Sequence, residues 1–145
     1  MRFTGSEEFV AAREDVWTFL IDPANLGPCS PVPIARVDDR RFRAEARLGS
    51  GFFSATVRLD LEVTDVVIGR SVRITCRGGA SGTSLDGSVG LAIRSESAQG
   101  RTTVDWELDM ELSGAFAGQA ARLIEERAPD AIERLLACIR REIEA

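Results

Sequence analysis

Hydrophobic and polar positions follow a helical period at the two ends of the chain and a period of two between them. Arg2 to Val10 has strand-like content in Phe3, Phe9 and Val10, with Gly5 marking a bend, and reads as an edge strand. From Arg13, Val16, Phe19 and Leu20 fall at helical spacing with Trp17 beside them, and Glu14 and Asp15 suit the positive end of the first turn. Asp22 then caps a second short helix with Pro23 in its first position, and Gly27-Pro28 stops it.

Between Ile34 and Leu112 apolar and polar residues alternate repeatedly between turn signals, the mark of an antiparallel sheet with one wet face. Phe42, Ala44, Ala46 and Leu48 oppose Arg41, Arg43, Glu45 and Arg47. Phe53 to Val63 alternate with Ser54 to Thr64. Val72, Ile74 and Cys76 point inward ahead of a predicted hairpin loop over Gly78 to Gly82. Val89, Leu91 and Ile93 continue the pattern, and Val104, Trp106, Leu108, Met110 and Leu112 end it most clearly. Asp38-Asp39, Gly69-Arg70 and Gln99-Gly100 supply the turns.

After Ser113-Gly114 the period becomes helical again, with Phe116, Ala120, Leu123, Ile124, Ala131, Leu135, Ile139 and Ile143 on one stripe. Pro129 removes the hydrogen bond to the carbonyl of Glu125, which predicts a kink or a break into two helices. The elements predict an α+β fold: a curved antiparallel sheet of about six to seven strands wrapped around a long C-terminal helix, with two short helices after the first strand. One helix cannot fill the concavity of so long a sheet, so part of the inner surface is expected to enclose an apolar cavity.

Composition sharpens this picture chiefly by what it removes. The chain has no His, no Tyr and no Lys, and all 18 basic residues are Arg. A Ser-His-Asp triad, a Cys-His pair, a Schiff-base lysine and every His metal site are therefore impossible. The 145 residues fit one domain, 1–145, and 44% hydrophobic with 28% charged content is that of a soluble globular protein. A net charge of -5 speaks against a nucleic-acid footprint. The N-terminus shows no signal-peptide core, so the chain is expected to start here and to stay in the cytoplasm. Cys29, Cys76 and Cys138 are odd in number, far apart and form no CxxC pair, so they read as small buried hydrophobes with neither disulfide nor zinc. No metal and no cofactor is expected.

Val16, Trp17, Leu20, Asp22, Pro23, Leu26 and Cys29 stand at the spacing V-W-x-x-L-x-D-P-x-x-L-x-x-C. Thr103, Trp106, Gly114, Ala117, Gly118, Arg122, Leu123 and Ile124 stand within TTVDWELDMELSGAFAGQAARLI. On these residues, and on the order of its elements, the chain resembles the START-like, helix-grip superfamily (SRPBCC), and within it the CoxG family of carbon monoxide dehydrogenase subunits. Two departures stand out. The family's C-I-P-G loop reads Cys29-Ser30-Pro31-Val32 and lacks its glycine, and the membrane-reaching tail of many members has no counterpart here, so no direct membrane anchor is implied.

The resemblance implies a cavity protein that serves beside a molybdenum hydroxylase of the carbon monoxide dehydrogenase type, with a component of that system as partner. The residues expected to line the cavity are Leu20, Leu26, Phe42, Phe53, Val57, Ile74, Leu91, Trp106, Leu108, Phe116, Ala120 and Ile124, holding a quinone-like or lipid-like ligand. Catalytic residues: none, because strand parity sends Asp60, Glu62, Asp105, Glu107, Asp109 and Glu111 to the wet face. Two alternatives remain. A polyketide cyclase-like enzyme would need a charged group converging on the cavity, whereas a ligand-free assembly factor would fill the cavity with its own side chains. The sequence leaves the oligomeric state open, a dimer included.

Overall fold

The computed structural model describes residues 1–30, 32–48, 55–80 and 82–145. Strand β1 (Arg2–Phe9) is followed by helix α1 (Arg13–Leu20) and a short 3-10 helix (Pro23–Cys29). Among the described residues there follow the strands β2 (Ile34–Arg36), β3 (Arg41–Leu48), β4 (Ala55–Val67), β5 (Ser71–Ala80), β6 (Thr83–Glu96) and β7 (Thr102–Gly114), and then helix α2 (Ala117–Glu144). The strands form one sheet in the order β1-β7-β6-β5-β4-β3-β2, antiparallel throughout. After β1 the two short helices carry the chain to the opposite edge. It then returns strand by strand until β7 pairs with β1. Gly5 lies within β1 and makes no bend in it.

The alternation places the side chains as expected. Phe42 and Ala44 are buried while Arg41, Arg43 and Glu45 are exposed. The exposed face carries a lattice of cross-strand ion pairs, among them Arg2–Glu107 (2.7 Å), Arg77–Asp86 (2.9 Å), Arg94–Asp105 (3.1 Å) and Arg43–Asp60 (3.1 Å). With both partners in water each such pair stabilises by about 1 kcal/mol at most.

On the concave face the core falls into two clusters. One joins Phe9, Val16, Ile93, Val104 and Ile139, with Leu20, Leu26, Cys29, Leu135 and Ile143 against it. The other joins Phe42, Val63, Val72 and Ile74. Trp17 packs against both. Thr102, fully buried, pins β7 to the start of α1 by donating its hydroxyl hydrogen to the Ala11 carbonyl at 2.7 Å.

Three expectations need correction here. Helix α2 runs 28 residues through Pro129 without a break. Pro129 and Glu125 are both exposed, so water can take the carbonyl that the proline leaves without a donor. The loop over Gly78 to Gly82 is shorter than predicted, because β5 continues to Ala80 and β6 begins at Thr83. On α2, Leu123 (47% exposed) and Ala131 fall off the inner stripe, and Phe116 (55% exposed) precedes the helix. The partly buried apolar positions include Ala120, Ile124, Ala128, Ile132, Leu135, Leu136 and Ile143.

Candidate functional site

The concave face is built from rows of apolar residues that the strand register brings side by side. Phe3, Leu108, Val89, Ile74 and Val63 form one row, Gly5, Trp106, Leu91 and Val72 the next, and Met110, Gly87, Cys76, Leu61 and Phe42 another. The last half of α2 seals one end of this surface, where Ile139 is buried among Phe9, Val16, Ile93 and Val104. Away from that end the burial changes. Val57, Leu59, Leu85, Val89, Leu91, Trp106, Leu108, Met110 and Leu112 are all only partly buried, as are Ala120 and Ile124 on the facing stretch of α2. Apolar side chains on a concave surface that a helix only partly covers give a groove able to take an apolar molecule.

Trp106 is the most informative group in it. Its cross-strand neighbour on β1 is Gly5, and a Cβ there would stand 2.5 Å from Cζ2 of the indole. The glycine is needed as a seat for the ring. The indole Nε1 is buried and has no acceptor among the described residues, a loss of about 1–3 kcal/mol for an unsatisfied donor.

Charged groups on the concave side include Glu7 of β1 and Arg140 of α2, paired at 2.6 Å, and Arg36 of β2, which lies over the Phe42 ring at 4.9 Å and pairs with Asp22 at 2.7 Å. Arg140 also lies over the Phe9 ring at 5.6 Å and donates to the Glu8 carbonyl. This pair ties β1 to α2 and consumes its own charge. Asp60, Glu62, Asp105, Glu107, Asp109 and Glu111 share the register positions of the ion-pair lattice on the other face. No group of three or more His, Cys, Asp or Glu suited to a metal ion occurs among the described residues.

A depression of about 800 Å³ also lies on the polar face, walled by Arg73, Arg94, Asp105 and Glu107 over the small residues Ser71, Gly90 and Ala92. Its charges are already spent on one another. Arg73 meets Glu107 and Asp65, and Arg94 meets Asp105.

Of the residues expected to line a cavity, Phe42 (2% exposed) and Ile74 (8%) lie inside the second core cluster, and Leu20 and Leu26 pack on the first. Val57, Leu91, Trp106, Leu108, Ala120 and Ile124 lie on the partly open surface. Phe116 stands at its rim, and Phe53 lies outside the described residues. Leu59, Leu85, Met110 and Leu112 share that surface and are missing from the expected set. Their parity in the strand pattern marks them as inward, and only the position of α2 marks them as uncovered.

The cysteines are not three equivalent hydrophobes. Cys29 and Cys138 form a disulfide, which overturns the expectation that neither would be bonded, and Cys76 is free. Burial, and then the negative charges of Asp60 and Asp86, push the Cys76 thiol from 9.0 up to about 11. At pH 8 its thiolate fraction should be on the order of a hundredfold below that of an unperturbed thiol, so alkylation by iodoacetamide should be slower by a similar factor. Because the folded value is the higher one, the thiol's contribution to stability is intact below pH 9.0 and is lost as pH rises toward about 11. Fast alkylation at pH 8 would mean that Cys76 is not held in this apolar row.

The family model for CoxG, a carbon monoxide dehydrogenase subunit, matches residues 5–144. A conserved protein from Geobacillus kaustophilus has a similar structure (TM-score 0.81) at 19% identity, over 99% of this chain and 95% of that one. A START superfamily protein from Mycobacterium smegmatis is similar at TM-score 0.67 and 14% identity, over 99% and 97% of the two chains. A protein from Deinococcus radiodurans is similar at TM-score 0.64 and 15% identity, over 99% and 98%. No curated protein matches the chain. At these identities the structural likenesses speak for the fold alone.

Proposed function

The chain belongs to the CoxG family of carbon monoxide dehydrogenase subunits, and from that premise we propose that it binds an apolar or amphipathic small molecule, quinone-like or lipid-like, without transforming it. The ligand lies between the sheet and the first half of α2. The protein works in the cytoplasm as an accessory of a molybdenum hydroxylase of the carbon monoxide dehydrogenase type. The observation that carries this reading is the run of partly buried apolar side chains, Leu91, Trp106, Leu108 and Ile124 among them, on a concave face. Burying that surface against a ligand would release about 25 cal/mol per Å² of apolar area. The carboxylates and arginines found on that face among the described residues are paired with one another, Glu7 with Arg140 and Arg36 with Asp22, which supports binding over catalysis.

Native mass spectrometry of gently purified protein should show a stoichiometric small-molecule adduct. In Trp106→Ala that adduct should be lost. The same variant should cost no more than about 2 kcal/mol of stability, less than the roughly 3–5 usual for a fully buried tryptophan. The ring is only partly buried, and its departure also removes an unsatisfied N–H. A stability loss at the full value, with the adduct retained, would return Trp106 to the core and sink its role in binding.

A further inference from the structure

The elements around the concave face form a closed circuit. The sheet runs from β1 to β2, the 3-10 helix touches both β2 and α2, and α2 touches β1. At the β1 end the joint is noncovalent, made by the Glu7–Arg140 pair and by the Val10 amide donating to Glu144 at 2.7 Å. At the other end Cys29, the last residue of the 3-10 helix, is bonded to Cys138 of α2, with Cα atoms 5.6 Å apart.

Besides that bond, the 3-10 helix is held by buried Pro23, by its packing on β2 and α1, and by a few side-chain contacts among the described residues. The Asn25 side chain donates to the Thr18 and Phe19 carbonyls at 3.3 and 3.1 Å, Asp22 pairs with Arg36 in water, and Leu26 packs on the core edge. Both bonded cysteines are at least partly open to solvent, so a thiolate from solution can approach them. A solvent-accessible disulfide in a reducing compartment is expected to cycle, which distinguishes it from a permanent staple.

We propose that the Cys29–Cys138 bond is a redox-operated clasp on the cavity: oxidised, it holds the 3-10 helix against α2 and retains the ligand, and reduced, it lets that joint open and release it. This rests on the ligand-binding reading above. The reductant is a dithiol. One of its thiolates attacks a sulfur of the pair, forms a mixed disulfide and expels the other cysteine as a thiolate, which takes up a proton. The second thiol of the reductant then closes its own disulfide and frees the remaining cysteine. Two electrons and two protons pass from the dithiol to Cys29 and Cys138.

The test uses the whole chain and the fluorescent apolar probe anilinonaphthalene sulfonate. Its dissociation rate is compared for oxidised protein, dithiothreitol-reduced protein and the Cys29→Ser/Cys138→Ser double variant, with circular dichroism recorded on each. The clasp predicts unchanged dichroism and release about tenfold faster from the reduced and variant forms, the change that a local opening easier by about 1.4 kcal/mol would give. Equal release from all three would overturn the clasp and leave the pocket standing. Absence of probe binding even in the oxidised form would overturn the pocket and the clasp with it. Collapse of the dichroism in both the reduced and variant forms would show a structural staple and overturn the switch.

Discussion

Trp17→Ala should lower the stability of the fold by about 3 kcal/mol, the low end for removal of a large aromatic from a core because the ring is only partly buried. Its effect is large because of where it stands. Trp17 packs against the cluster of Phe9, Val16, Ile93, Val104 and Ile139, and also against that of Phe42, Val63, Val72 and Ile74. Among the described residues no other on α1 bridges the two clusters, so the deletion loosens the seam between the sealed end of the fold and the middle of the sheet. For a chain of this length the loss corresponds to a drop in Tm of about 10 °C. Urea unfolding followed by far-ultraviolet dichroism measures it, with Trp17→Phe expected to recover roughly half. A loss below about 1 kcal/mol would show that Trp17 lies on the surface of one cluster and joins nothing. Trp17 and Trp106 are thus opposites: one ring couples cores, while the other rests on Gly5 at the open surface with its N–H unpaired among the described residues.

The difference between those two tryptophans marks where the sequence stops being readable. Antiparallel strands with one wet face must alternate, and Arg41 to Leu48 or Thr103 to Leu112 therefore state their facing outright. Parity predicted that Trp106 and Phe42 both point inward, and both do. It carries no information on which inward residues the helices and neighbouring side chains will cover: Phe42 is sealed beside Trp17, Ile21 and Ile34, while Leu59, Leu85 and Met110 stay partly open. The helical stripe was legible in period and largely in phase, since Ala120, Ile124, Leu135, Ile139 and Ile143 are all at least partly buried, whereas Leu123 and Ala131 are exposed. Pro129 shows the opposite failure. A local rule predicted damage, and an exposed position spares the helix from it.

Loss of the Cys29–Cys138 bond should have an effect of similar size by a different route, and spacing alone had no means of announcing the pair, because its members are 109 residues apart. A cross-link closing a loop of that length restricts the unfolded chain by about 4.7 kcal/mol on the chain-entropy account, and measured values for native bonds run at about 2–5. The Cys29→Ser/Cys138→Ser variant should therefore lose about 2–4 kcal/mol and roughly 7–13 °C in Tm. The mechanism has a signature that a lost packing contact lacks. An unbridged unfolded state is more expanded and exposes more surface, so the denaturant slope m should rise while the midpoint falls, whereas Trp17→Ala should move the midpoint with little change in m. Thiol titration supplies the control: the folded oxidised protein holds a single free cysteine, Cys76, and reduction should raise the count to three. An unchanged midpoint, or three titratable thiols before any reductant is added, would remove the bond from the account of stability. A fall in midpoint with constant m would instead mean that the sulfur pair acts as buried packing beside Leu26 and Leu135. The serine substitutions would then be removing apolar contact from the folded state and leaving the unfolded one untouched.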